Sequence, residues 1–458
     1  MKNQSIKPLQ LHPENPHYFL FRGKPTVLIT SGEHYGAVLN LDFDYAAYLR
    51  ELHAHGLNHT RLFSGVYREV PDSFGITDNT LAPLPNRYVC PWTRSSEPGY
   101  FDGGNKFDLS RWDDAYFRRL KDFMTQASHV GVVVEVNLFC PFYTAELWKA
   151  NPMNAANNAN GVGVCEGTEV YALKHKDLTT VQEAVARKIV EELGGFDNLY
   201  FEVCNEPYFG GVTLEWQHHI VDTIVDEEKG FTAKHLISMN VANGRAKVEN
   251  PHPAVSIFNF HYCHPPDVVE MNFGLNKVIG ENETGFRGKE DVLYRTEGWD
   301  FVVAGGGLYN NIDYSFTRNN PLGTFLEYRS PGGGSLTLRR QLKILKGFVE
   351  GFDFVKMAPD NSVVKGGQAS GPLSGTPAQA NITARALVEE GKQYAIYVKG
   401  GEKVELIVNL PKGNYRAEWV DTKTGKTEKT DEFHHPGGDK MLISPGYTED
   451  MALRIIAQ

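Results

Sequence analysis

Two places in the sequence put carboxylates where chemistry could use them. The run NLYFEVCNEPYFG carries Asn205-Glu206-Pro207 directly after an apolar segment, and KVIGENETG carries Glu281 and Glu283 two residues apart. Read as strands, both segments end in glutamate, and strand alternation puts Glu281 and Glu283 on one side. If the strands share a sheet, a carboxylate from each faces one cleft. Such a pair suits displacement at an acetal carbon. One carboxylic acid protonates the departing oxygen, while a carboxylate about 5–5.5 Å away attacks the anomeric carbon, so the configuration is retained overall. A separation of about 6.5–9.5 Å would leave room for water and invert the centre instead.

Those strands need a frame. Over the first 355 residues, short apolar runs alternate with amphipathic ones, the pattern of βα units repeated around a parallel sheet. Eight strands are expected at PTVLITS (25–31), LNHTRLF (57–63), GVVVEVNLF (131–139), NLYFEV (198–203), HLISMN (235–240), VSIFNFH (255–261), KVIGENE (277–283) and GGLYNNID (306–313). Eight such units predict a closed (β/α)8 barrel, an α/β fold with its working face at the strands' C-terminal ends. DYAAYLRELHAHG reads as a helix stopped at Gly56, and TVQEAVARKIVEELGG as one opened by a Thr180…Glu183 capping box and stopped at Gly194. The segments after strands five and six are short. Connections 64–108 and 140–179 are long and rich in Gly, Pro, Asn and aromatics, so they are expected to wall a cleft. After helix 338–352 the helical signal stops. The expected division is a barrel domain over 1–358 and an antiparallel β-sandwich over 359–458, with GGQASGPLSGTPAQ (366–379) as connector. The sandwich is expected to be structural, with Trp419 and Tyr415 as its candidates for a sugar-binding face.

NEP closing strand four, with a Glu closing strand seven, resembles the clan of retaining β-glycosidases built on (β/α)8 barrels. The resemblance covers roughly residues 20–355. It implies that Glu206 is the acid/base, that Asn205 binds the sugar 2-hydroxyl, and that the strand-seven Glu is the nucleophile. It also places an Arg late on strand two and a His-Tyr pair after strand six, matched by Arg61 in GLNHTRLF and by His261-Tyr262 in FNFHY. Glu283 is preferred to Glu281 as nucleophile because it lies nearer the strand end, before Thr284-Gly285. Glu281 is expected in an internal salt bridge. Arg61 and Tyr262 would hydrogen-bond the anionic nucleophile, and repulsion from that anion would keep Glu206 protonated near neutrality. Further sugar-binding candidates are His34 in Glu33-His34-Tyr35, Asn137 at the end of strand three, and Tyr309, Asn311 and Tyr314 after strand eight.

The rest of the sequence mainly excludes. Hydrophobic residues make up 41% and charged residues 22%, as in ordinary globular chains. With 46 Lys+Arg against 56 Asp+Glu, net charge −10, and no basic run, nucleic acid and anionic membranes are poor partners. Five dispersed cysteines without a CxxC read as buried free thiols. The pairs His261…His264 and His218-His219 lack a third ligand at metal-site spacing, and Gly161-x-Gly163-x-x-x-Gly167 does not lead from strand to helix, so neither metal nor nucleotide is expected. The start MKNQSIKPLQLHPENP has no apolar stretch of about 7–15 residues, so the expected location is the cytoplasm, or the periplasm or exterior if a leader has been removed. The expected activity is cofactor-free retaining hydrolysis of β-glycosidic bonds in an oligo- or polysaccharide. The alternatives are transglycosylation at the same site and an inactive carbohydrate-binding barrel. Sugar identity, exo or endo action and oligomeric state are left open by the sequence.

Overall fold

The computed structural model describes residues 7–32, 36–365 and 382–458. Its centre is a parallel eight-stranded sheet: β1 (Leu28–Ser31), β2 (His59–Phe63), β3 (Val133–Phe139), β4 (Leu199–Cys204), β5 (Leu236–Asn243), β6 (Val255–His261), β7 (Val278–Glu283) and β8 (Leu308–Asn311). The ladder runs β1-β8-β7-β6-β5-β4-β3-β2. The remaining seam, between β1 and β2, is bridged by a side chain. Asn58 accepts the Ile29 N–H at 2.9 Å and donates to the Val27 carbonyl at 2.9 Å. Strands such as VVEVNLF are buried throughout, which is why they read as continuous apolar runs rather than alternating ones.

Helices cover the outside: α1 (Tyr45–Ala54), α2 (Asp114–His129), α3 (Lys176–Leu193), α4 (Leu214–Glu227), α5 (Asp267–Asn272), α6 (Asp291–Val303) and α7 (Leu336–Glu350). The side chains of Asp44, Asp113, Thr213 and Ser335 cap four of them by accepting first-turn N–H groups. The capping box expected at Thr180 does not form. α3 starts four residues earlier, so Thr180 is inside the helix and its hydroxyl donates back to the Lys176 carbonyl at 2.9 Å.

The first strand is also shorter than expected. Lys24–Thr26 pairs antiparallel with Phe19–Phe21, which in turn pairs with Gln10–Leu11. This small sheet carries Leu9, Phe19 and Phe21 onto Leu28, Val133, Ile257, Val278 and Leu308, and so plugs one end of the barrel with apolar side chains. The other end is the mouth. The long connection after β2 contains a hairpin, Trp92–Pro98 with Asn105–Trp112, which the sequence reading treats as loop.

The C-terminal antiparallel strands form a six-stranded and a three-stranded sheet around their own apolar core. Trp419 and Tyr415 belong to that core, so neither presents a sugar-binding face. The expected connector 366–379 lies outside the described residues. This unit docks on the barrel through α6. Trp299 stacks on Tyr397 with ring centroids 5.6 Å apart, and Arg295 donates to Asp450 at 2.7 Å. Enclosed on both sides, α6 buries every residue from Tyr294 to Val303 and shows no polar stripe. All five cysteines are free thiols. No helix among the described residues is long and apolar enough to cross a membrane.

Candidate active site

Arg61, fully buried at the middle of β2, organises the upper barrel. Its Nε donates to Glu135 at 2.5 Å, Nη1 to Glu283 at 2.9 Å, and Nη2 to Glu202 at 3.0 Å and Asn205 at 2.8 Å. One guanidinium therefore faces three carboxyl groups, and the charges cannot all balance if every carboxyl ionises. The protein resolves this by splitting their proton affinities. Burial is the largest influence on Glu135 and raises it, but Arg61, His59 and the Tyr200 hydroxyl together hold that carboxyl below its ordinary range. Glu202 is pushed up to about 8, first by burial and then by the Glu135 charge, so it is neutral at pH 7. Its oxygens accept from Asn259 at 2.6 Å and Asn282 at 3.1 Å.

Glu283 and Glu206 meet above this layer. Glu283 accepts from Arg61 on one oxygen and from the Tyr262 hydroxyl, at 2.7 Å, on the other. Glu206 accepts from Tyr143 at 2.6 Å and Tyr208 at 3.2 Å, and His261 Nδ1 lies 3.3 Å from it. One oxygen of each carboxylate and His261 Nδ1 all lie within 4.8 Å of one another. These three groups could offer ligands to a cation, but the Arg61 guanidinium already occupies the charge of Glu283. Two residues here take left-handed backbone, Glu206 at φ 38° and Tyr262 at φ 58°, a conformation rarely adopted outside glycine and often found at working sites. Tight turns after β4 and β6 aim both side chains across the mouth.

The expectation that Glu206 stays protonated by repulsion is not met. Burial pushes its proton affinity up, but His261, Tyr143 and Tyr208 together bring it below the ordinary carboxylate value. Arg61 compensates the Glu283 charge, so little repulsion reaches Glu206.

Glu281 and Glu283 do not share a face. The β6–β7 ladder pairs Phe260 with Glu281 but His261 with Glu283, a register shift that leaves Asn282 unpaired. Asn282 and Glu283 consequently both turn inward, Asn282 donating to Glu135 at 3.1 Å. Glu281 turns away from the mouth and accepts the Cys263 N–H at 2.6 Å. The internal salt bridge expected for it gives way to a neutral acid, because burial and then neighbouring Glu297 raise its proton affinity far above normal.

The cleft holds about 460 Å³. Asn205, Glu206, Tyr262, Glu283 and Tyr314 line it, and His261 stands behind Glu206. The structure does not bring the remaining candidates to it. His34 lies outside the described residues. Asn137 is fully enclosed at the end of β3 and is absent from the lining. Tyr309 points outward and donates to the Tyr294 carbonyl of α6 at 2.7 Å, while Asn311 donates to the Gly333 carbonyl at 2.6 Å and fixes the loop after β8. His219 pairs with Glu183 at 2.6 Å. Sequence reasoning missed Tyr143, Tyr208 and Glu69, all of which bear on the cleft. Tyr208 stood two residues from Glu206 and could have been found by position. Tyr143 and Glu69 sit in the long loops after β3 and β2, which were expected to wall the cleft without any one residue being singled out.

No protein-family model matches the chain, and no curated protein sequence does. Solved structures do. A glycoside hydrolase from Bacteroides vulgatus superposes with a TM-score of 0.67 at 13% identity, covering 100% of this chain and 84% of that one. A glycoside hydrolase family 5 protein from the same organism gives 0.65 at 14%, covering 98% and 94%. A family 5 mannosidase from Rhizomucor miehei gives 0.52 at 10%, covering 76% and 100%. This chain thus has the fold of the (β/α)8 glycoside hydrolases, and its likeness to the first two runs through the C-terminal sheets as well as the barrel.

Proposed function

We propose that the protein is a retaining β-glycoside hydrolase in which Glu206 is the acid/base and Glu283 the nucleophile. The observation that carries this reading is the approach of the two carboxylates to within 4.8 Å. That oxygen-to-oxygen approach is near the roughly 5–5.5 Å spacing of retaining enzymes and well short of the roughly 6.5–9.5 Å of inverting ones. The proton of Glu206 goes to the glycosidic oxygen as a Glu283 oxygen bonds to the anomeric carbon and the old C–O bond breaks. Glu206, now a carboxylate, takes a proton from water, whose oxygen displaces Glu283 from the same carbon. Arg61 and Tyr262 fix the attacking carboxylate from two directions. Asn205 has its amide oxygen held by Arg61 and its nitrogen directed toward Tyr143, an orientation suited to meeting the sugar 2-hydroxyl.

Glu206 must carry a proton for the first step. Burial is already the largest influence on it, and a bound sugar that expels water strengthens that influence. No cofactor takes part in this reading. An inactive sugar-binding barrel has no need of a strand-end carboxylate fixed by both Arg61 and Tyr262 opposite a second carboxylate, and the intact pair speaks against it.

The test is a panel of aryl β-glycosides (gluco, galacto, manno and xylo) followed by NMR of the first product. Release of the β-anomer supports the reading. An α-anomer as first product, or no hydrolysis of any member or of β-glucan, mannan and galactan, overturns it.

A further inference from the structure

The loops around the mouth differ in height, and the tall ones are tied together. The Thr77 N–H, in the loop after β2, donates to the Arg329 carbonyl, in the loop after β8, at 2.8 Å; the Arg329 N–H returns to the Thr77 hydroxyl at 2.9 Å. Beside this pair Asp78 receives the Arg318 guanidinium and, at 3.1 Å, the Asn319 amide. The connection spans the end of β1, whose following segment is packed beneath it. Asn40 donates to the Thr80 carbonyl at 3.0 Å, and Gly36 approaches so closely that a Cβ would lie 2.2 Å from that oxygen. On the far side the Phe286 N–H, after β7, donates to the Pro331 carbonyl. Among the described residues these contacts link the loops after β2, β8 and β7 into a wall that passes over residues 36–40.

The opposite side is low. β5 passes to β6 without an intervening helix, and only residues 262–266 separate β6 from α5. Because Glu206 follows β4 and Glu283 ends β7, the line between them divides the mouth into an open half over β5 and β6 and a walled half over β8, β1, β2 and β3. The walled half is not merely blocked. It contains a third carboxyl, Glu69, only 5% exposed yet lining the cleft. Asn79 holds one of its oxygens at 2.5 Å and the Tyr67 hydroxyl holds the other at 3.2 Å. A fixed, nearly buried carboxyl at a dead end suits the hydroxyls of a terminal sugar, which a continuing chain would not present.

Resting on the glycosidase reading, we infer that the enzyme acts at chain ends: one terminal sugar lies under the β2–β8 bridge with its free hydroxyls on Glu69, and the leaving group departs over β5 and β6. Burial lifts Glu69 to about 7, so it can donate as well as accept near neutral pH.

The experiment uses tetra- to hexasaccharides of whichever sugar the aryl panel identifies, with the non-reducing terminal unit either free or capped, as a 4,6-O-ketal for a hexose or a 4-O-methyl ether for xylose. Monosaccharide is expected as the sole early product, and the cap should lower the rate about 10²-fold or more, as a closed hydrogen-bonding site rejects a misfit group. In Asp78→Asn, which weakens the bridge, the ratio of kcat/KM for free over capped substrate should shrink. In Glu69→Ala, KM for aryl glycosides should rise about tenfold or more, the worth of a hydrogen bond to a charged group. Early products of mixed length, or equal cleavage of capped and free substrates, overturn the chain-end inference and leave the glycosidase reading standing. Failure to cleave any glycan overturns both.

Discussion

The two ends of the barrel are built from the same eight strands in opposite chemistries. At the plugged end, Leu28, Val133, Ile257, Val278 and Leu308 pack against Leu9, Phe19 and Phe21, with no charge to satisfy. A few residues further along, those strands deliver Arg61, Glu135, Glu202, Asn205 and Glu283 to a layer held by charge-assisted hydrogen bonds. Burying so many ionisable groups is costly unless every one is partnered, and replacing a partnered set with apolar residues is often neutral or stabilising. The mouth therefore bears a cost that the plug avoids, and the left-handed Glu206 and Tyr262 add to it. The difference teaches where stability and chemistry reside: the plug holds the barrel together, and the mouth spends part of that stability on orientation.

Mutations at the two ends should consequently separate activity from stability. The largest effect on rate is expected for Glu206→Ala, about 10²–10⁴-fold with poor leaving groups and much less with activated ones, measured as kcat/KM on paired substrates. Added azide should restore turnover and yield a β-glycosyl azide. Full activity, or an α-azide, would break the assignment of this end. Next comes Arg61→Lys. An ammonium keeps the charge but cannot make four directed bonds to Glu135, Glu202, Asn205 and Glu283, so kcat/KM should fall about 10²–10³-fold. If lysine supports near-normal turnover, the planar fork is not what positions the site.

At the plugged end Leu308→Ala should cost about 2–5 kcal/mol in denaturant unfolding, while kcat at low temperature stays within a few-fold of the parent. A matching loss of kcat in fully folded protein would show that the two ends are not independent. The smallest effect is a change of slope. Glu202 keeps a proton up to about pH 8, whereas the unfolded chain releases it near the ordinary 4.5. The folded state thus binds more protons between those values, and stability falls as pH rises through that window. Glu202→Gln cannot ionise, so its melting temperature should decline less between about pH 5 and pH 8 than that of the parent. An unchanged slope would mean that Glu202 is ionised in the folded protein.

How much of this was legible in the sequence depends on what each feature rests on. The parallel strands could be placed because burial on both faces leaves apolar runs, and the barrel followed from their number and order. Glu206 and Glu283 could be gathered on one face because strand ends in a barrel point to one mouth, whereas Arg61, Asn205, His261 and Tyr262 joined them only through what the resemblance to the barrel glycosidases implies. The β7 register shift was illegible, since strict alternation is the only guide and a bulge breaks it; hence Glu281 was drawn toward a cleft it does not face. Tyr309 and Asn311 were drawn there by their place at strand eight, without the loop at Gly333 and the helix at Tyr294 that claim them. Tyr143 and Glu69 depend on long-loop conformation, which no periodicity encodes. The lowered proton affinity of Glu206 depends on three donors from three separate segments.

The central claim is that Glu283, and not its neighbour Glu281, becomes bonded to the sugar. Incubation with activated 2-deoxy-2-fluoro-β-glycosides of glucose, galactose, mannose and xylose slows breakdown of any glycosyl ester, so that intact mass and peptide mapping can locate it. The expected result, with the matching sugar, is a single fluoroglycosyl adduct on Glu283 that forms in the parent and is absent from Glu283→Gln. An adduct on Glu281, or turnover of the ordinary aryl glycoside with inversion and no adduct at all, would contradict the account.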